Sequence, residues 1–169
     1  EIAIFFHSLG LLILEGYGLT ETSPVISVNL VEDFKLGTVG KALTEVEVKI
    51  APDGEVLTRG PHVMKGYYKR PEATAEVMRH GWFHTGDIAR MDEEGYFYIV
   101  DRKKDMIIRG GFNVYPREVE DVLYAHPAVS EVAVVGVPDE ALGEEVKAFA
   151  VLKPGMTATA EELIAYCQE

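Results

Sequence analysis

Five consecutive charges, DRKKD at positions 101–105, stand between the apolar stretches YFYIV and MII. A run like this cannot enter a core unless every charge finds a partner, so the chain must surface there. It reads as a solvated connection or domain boundary, with one stretch over 1–100 and another over 106–169. A chain of 169 residues is enough for one ordinary domain or two small ones.

The stretch before the run reads mostly as β. Residues 25–30 form a plausible strand; EVEVKI alternates, PDGE at 52–55 is a tight turn, and VLTR continues beyond it. GPHVMKGYYK is a glycine-punctuated loop, and PEATAEVMR at 71–79 is a short helix with proline in its first turn. WFHTGDIARM and YFYIV are strands joined by the turn DEEG. At the start, Ile2, Phe5, Phe6 and Leu9 fall at helical spacing, Gly10 can end that helix, and 11–14 reads as a short buried strand. This apolar start lacks a basic lead and is too short to span a bilayer.

After the run the order is strand (106–108), glycine pair, helix (116–125), strands (131–137 and 145–152) and a helix from about 160. Thr159 with Glu162 predicts a capping box for that last helix. This βαββα order predicts a small α+β domain with helices on one face of a sheet. A chain that opens inside a core pattern and stops in the first turns of a helix is expected to be part of something longer.

The net charge of -12 argues against non-specific nucleic-acid binding, which needs a basic face. It also means that any anionic ligand needs a locally built site. A single cysteine, Cys167, excludes an internal disulfide framework and a cysteine-based zinc cluster, and suits a reducing cytoplasmic setting. His7, His62, His80, His84 and His126 are scattered without ligand spacing.

Four segments carry chemistry. EGYGLTETSP at 15–24 combines flexible Gly16 and Gly18, the aromatic face of Tyr17, and the adjacent hydroxyl and carboxylate of Thr20 and Glu21. Such a pair suits oxygen coordination of phosphate-bound magnesium; taken alone, a plain turn is the better reading. GEVLTRGPHVMKGY reads as a hairpin with its loop. In WFHTGD, Asp87 is placed to accept hydrogen bonds from a ribose diol, although a lone aspartate is more often a cap. In IVDRKKDMIIRGGFNVYPRE, Arg102 can reach ribose or phosphate, and Gly110-Gly111 lets a narrow ligand pass bare backbone. The plainer reading is a charged linker and a tight turn.

The order of these segments says more than any one of them. EGYGLTETSP, GEVLTRGPHVMKGYYKRPEAT, GWFHTGD and YFYIVDRKKDMIIRGGFNVYPREVED in succession resemble the sequential core motifs of the adenylate-forming enzymes. That family holds acyl- and aryl-CoA synthetases, peptide-synthetase adenylation domains and luciferases. The likeness covers essentially the whole chain, and DRKKDMI with GFNVYPREVED is most similar to bacterial and archaeal fatty acyl-CoA synthetases.

The resemblance implies a mixed α+β and α/β fold: the end of a large adenylation domain with a distorted β-barrel-like subdomain (1–100), a hinge (101–105) and an incomplete small α+β C-terminal domain (106–169). It implies an enzyme that joins ATP and a fatty acid into an acyl-adenylate plus pyrophosphate, then passes the acyl group to CoA with release of AMP. On matching positions, Gly16, Tyr17 and Gly18 would frame the adenine, with Tyr17 packed on it. Thr20 and Glu21 would act in catalysis, Glu21 as the Mg2+ ligand; Asp87 and Arg102 would bind ribose, Lys104 would serve as pivot, and Gly110 and Gly111 would line the pantetheine tunnel. The family's glycine-rich Ser/Thr loop and its C-terminal GK motif have no match here, Lys153-Pro154-Gly155 included. The chain is therefore expected to be an inactive piece of the enzyme. Two alternatives stay open: an adenylating enzyme with an aryl acid or a carrier-protein acceptor, and a non-catalytic association module, for instance a homodimer burying the apolar start. A peripheral membrane contact of the longer protein is also left open.

Overall fold

Alternating apolar residues before PDGE and continuous ones after it set the first sheet of this computed structural model, which describes residues 2–168. The chain divides between Ile99 and Val100 into two units.

The first unit opens with α1 (Ile2–Ser8), closed by Gly10 at φ +80. Residues 11–14 do not form the expected buried strand: Leu11 is 57% exposed. Apolarity alone does not make a strand, which needs a neighbour for its ladder, and among the described residues this segment has none. Three two-residue strands follow, β1 (Gly16–Tyr17), β2 (Ser27–Val28) and β3 (Lys41–Ala42), in one antiparallel sheet. The strand expected over 25–30 is thus cut to its two middle residues, because β1 and β3 are equally short.

The larger sheet contains β4 (Glu47–Ile50), β5 (Glu55–Arg59), β6 (Met78–Arg79), β7 (Trp82–Met91) and β8 (Phe97–Arg102), with α2 (Pro71–Val77) between β5 and β6. The order is β4-β5-β7-β6, with β8 also on β7. Ala51 accepts from the Gly54 N–H at 2.9 Å to close the β4–β5 turn. The core lies against β5 and β7 and includes Ile26, Val56, Leu57, Phe83, Ile88 and Phe97. The barrel-like subdomain expected from the sequence is not a closed barrel: among the described residues each sheet stays open.

The charged run is less of a linker than its composition suggests. Asp101 and Arg102 finish β8, and Lys103–Asp105 turn once as a 3-10 helix, with Arg102 Nε 2.7 Å from Asp105 Oδ2. The second unit then builds β9 (Ile107–Arg109), β10 (Phe112–Val114), α3 (Pro116–Tyr124), β11 (Val129–Asp139), β12 (Gly143–Leu152) and α4 (Ala160–Tyr166). Its antiparallel sheet runs β10-β9-β12-β11 over a core of Ile107, Leu123 and Val134. The capping box forms as expected: Glu162 N–H donates to Thr159 Oγ1 at 3.2 Å, and Thr159 N–H to Glu162 Oε2 at 2.8 Å. Within the second unit, β10 is the strand that the sequence reading leaves out, since its three residues follow a glycine pair that reads as loop. No described helix is long and apolar enough to cross a membrane.

Candidate nucleotide site

EGYGLTETSP is held as one knot by a residue that its chemistry did not single out. Thr22 is fully buried; its Oγ1 accepts from Leu19 N–H at 2.9 Å and lies 2.9 and 3.1 Å from the carbonyls of Leu19 and Pro24. Around it Thr20–Thr22 make a 3-10 turn that leaves Thr20 exposed and Glu21 half-buried. Gly16 and Tyr17 pair with Val28 and Ser27 of β2. Gly18 must lack a side chain, since a Cβ there would fall 1.8 Å from the Pro24 carbonyl oxygen.

WFHTGD owes its shape to a bulge. Glu55 of β5 faces Ile88 of β7, and Leu57 faces His84, so Val56 alone opposes residues 85–87. Bulges of this kind re-aim a side chain. Each member of Thr-Gly-Asp has a task in it. Thr85 Oγ1 donates to the Val56 carbonyl at 2.9 Å and accepts from Asp87 N–H at 3.1 Å. Gly86 sits at φ +77, which favours glycine. Asp87 is thereby turned off the ladder.

Its carboxylate reaches across 70 positions of sequence: Tyr17 Oη donates to Asp87 Oδ2 at 2.7 Å. Burial pushes the Tyr17 hydroxyl far above its ordinary 10.0; Thr85 partly offsets this, and the Asp87 carboxylate raises it further. Tyr17 is therefore a donor at every physiological pH. A second tyrosine holds the other carboxylate, with Tyr67 Oη donating to Glu21 Oε1 at 2.9 Å, and Met64 N–H caps the Glu21 carbonyl at 2.7 Å. The Tyr67 hydroxyl is also raised, by burial first and then by Glu21. So Tyr17, Asp87, Glu21 and Tyr67 are joined in two hydrogen-bonded pairs within the first unit.

A raised tyrosine carries a sign. Its contribution to stability is complete below pH 10, where the unfolded chain also keeps the proton, and fades as pH rises above that value. Tyr17→Phe should flatten the alkaline loss of stability by up to about 1.4 kcal/mol per pH unit between about pH 10 and 11. Urea unfolding followed at the one tryptophan, Trp82, measures it; identical slopes for both chains would remove the buried hydroxyl from this role.

The remaining sequence-picked residues lie in the second unit. Arg102 is exposed beside Asp105, and Lys104 is exposed in the 3-10 turn. Gly110 and Gly111, at φ +58 and +87, form the two-residue turn between Arg109 of β9 and its partner Phe112 of β10, the geometry of a type I′ hairpin. Tyr67, Thr22 and Thr85 were not picked out. Tyr67 lies 46 positions from Glu21, and no local pattern announces such a pairing.

Residues 1–68 match the model of the AMP-binding enzyme family, and residues 118–169 that of the AMP-binding enzyme C-terminal domain. A long-chain-fatty-acid–CoA ligase of Escherichia coli O157:H7 is 51% identical over 170 residues, covering 94% of this chain and 30% of the ligase. The structure of o-succinylbenzoate CoA synthetase from Bacillus subtilis with its acyl-adenylate intermediate superposes with a TM-score of 0.84 at 39% identity, over 99% of this chain and 36% of that one. The amide bond synthetase of Marinactinospora thermotolerans gives 0.82 at 38%, over 99% and 37%. The chain thus spans about a third of the length of the proteins it matches.

Proposed function

Since this chain belongs to the AMP-binding enzyme family, we propose that it carries part of the nucleotide site of an ATP-dependent fatty acid–CoA ligase. The reaction would join a fatty acid and ATP into acyl-adenylate and pyrophosphate, and then exchange AMP for the thiol of CoA. The observation that carries this reading is the Tyr17–Asp87 bond, because it draws an aromatic face and a carboxylate to one place. An adenine needs the first, and a ribose diol the second. Asp87 accepts from the ribose hydroxyls through the oxygen that Tyr17 leaves, while the Tyr17 ring packs on the base between Gly16 and Gly18.

Thr20 and Glu21 face the phosphates. Among the described residues no cluster of three carboxylate, histidine or cysteine side chains is placed to hold a metal. The fit for Mg2+ is instead a single carboxylate plus a hydroxyl: Glu21, held by Tyr67 on Oε1, and Thr20 would be the residues to hold it. This suits an ion held mainly by phosphate oxygens; when bound, it lowers the charge that attack on the α-phosphate must overcome. In the second unit, residues 101–105 would act as the hinge between half-reactions, with Lys104 the pivot and Arg102 assisting at the ribose. Gly110 and Gly111 would give the pantetheine arm a bare-backbone path.

A second reading keeps adenylation and changes the acid or the acceptor. It is favoured by the likeness to a CoA synthetase named for o-succinylbenzoate and to an amide bond synthetase, at 39% and 38% identity against 51% for the fatty-acid ligase. Both readings require that the chain bind nucleotide. Calorimetric titration with ATP·Mg2+ should saturate at one site per chain, and no binding at any accessible concentration would overturn them.

A further inference from the structure

Beneath the Thr-Gly-Asp bulge lies a carboxylate that neither ligand binding nor the sheet ladder explains. Glu55 is 4% exposed, and a carboxylate so buried must be compensated by donors. Its Oε1 accepts from Gly86 N–H at 3.2 Å, the backbone group next to Asp87. Its Oε2 lies 3.0 Å from His84 Nδ1, whose side chain is 16% exposed, on the residue where the bulge begins. Arg79 Nη2 lies 2.8 Å from the same nitrogen, and one ring nitrogen cannot serve both at once. The buried carboxylate has no water to turn to, whereas Arg79 is exposed, so Nδ1–H donates to Glu55.

From this geometry we infer that Glu55 is a positioning residue, which grips the bulge at Gly86 and His84 and so aims Asp87 at a nucleotide ribose. The inference rests on the reading of Asp87 as a ribose ligand. Thr85 closes the bulge by binding the Val56 carbonyl and the Asp87 amide; Glu55 adds a side-chain hydrogen bond to Gly86, at the φ +77 position where the strand changes direction. Without that contact Asp87 would still lie on β7 but would no longer be held toward Tyr17.

Glu55→Met fills the space without an acceptor. Glu55→Gln keeps an acceptor for Gly86, and its amide can donate to His84 once the imidazole switches tautomer. In the full chain, AMP affinity is expected to fall about tenfold in Glu55→Met and by less than about threefold in Glu55→Gln, with far-UV circular dichroism unchanged in both. A role in folding alone would instead lower the melting temperature of Glu55→Met without lowering the AMP affinity of its folded fraction. Amide exchange in 15N-resolved spectra gives a readout independent of ligand: Gly86 should be protected in the wild type and in Glu55→Gln and exposed in Glu55→Met. A folded Glu55→Met chain with wild-type AMP affinity would overturn the inference. So would a Gly86 amide that exchanges in the wild type as an open loop does, a measurement that stands even if Glu55→Met does not fold. If the wild type binds no AMP, the ribose role of Asp87 falls, while Gly86 exchange still decides whether Glu55 grips the bulge.

Discussion

Replacing Gly18 by alanine is expected to destabilise the first unit by about 3 kcal/mol, seen as a fall of roughly 10 °C in melting temperature. The reason is a collision with backbone. The new Cβ would lie 1.8 Å from the Pro24 carbonyl oxygen, 2.7 Å from its carbon and 2.8 Å from Val25 Cα. No rotamer relieves that, because Cβ has no torsion of its own, so the strand or the turn has to move. The turn is in turn tied to Thr22, whose hydroxyl holds Leu19 and Pro24 together from a fully buried position. Any shift therefore reaches Thr20, Glu21 and Tyr17 together, and ATP affinity should fall with stability. Fluorescence of Trp82 reads this directly, since the one tryptophan lies on β7 of the same unit. A Gly18→Ala chain that melts within about 2 °C of the wild type would mean the close approach is not rigid.

What could be read from the sequence was local, and what could not was set by distant partners. The helix starting after Thr159 was legible because cap and box lie within four residues, and the β4–β5 hairpin because its turn chemistry sits beside its alternation. Residues 11–14 misled, since four apolar side chains carry no information about whether a neighbouring strand exists. β1, β2 and β3 were illegible as a sheet, each being two residues long and defined by pairings at a distance. The candidate site divides in the same way. Tyr17, Glu21 and Asp87 drew notice through their chemistry and, more strongly, through the order of their motifs. Tyr67, Thr22 and Glu55 did not, because a tyrosine in a loop, a threonine in a turn and a glutamate in a strand look ordinary until their hydrogen bonds are seen. The supporting residues of a site are hard to read because their role lies in the partner they reach.

The largest effect on binding is expected at Asp87, and its partner Tyr17 allows that effect to be divided. Asp87→Ala removes the acceptor for a buried tyrosine hydroxyl and, on the proposed reading, the acceptors for a ribose diol. A net loss of about 2–2.7 kcal/mol, within the range for one hydrogen bond to a charged acceptor, should lower AMP affinity by roughly 30-fold to 100-fold. Asp87→Asn keeps one oxygen, which can serve Tyr17 or the ribose but not both fully, and should cost about tenfold, between the wild type and Asp87→Ala. Tyr17→Phe leaves the carboxylate intact but no longer aimed, and should cost about threefold, less than either. The double variant Tyr17→Phe with Asp87→Ala then decides whether the bond matters to binding. If Tyr17 acts by orienting Asp87, its loss adds little once the carboxylate is gone, and the two effects are less than additive. Strict additivity would mean that Tyr17 contributes through its ring alone, as an adenine platform independent of the carboxylate. Wild-type affinity in Asp87→Ala, against saturable binding by the parent chain, would remove the ribose assignment and leave the Tyr17–Asp87 bond a fastening between the two sheets of the first unit.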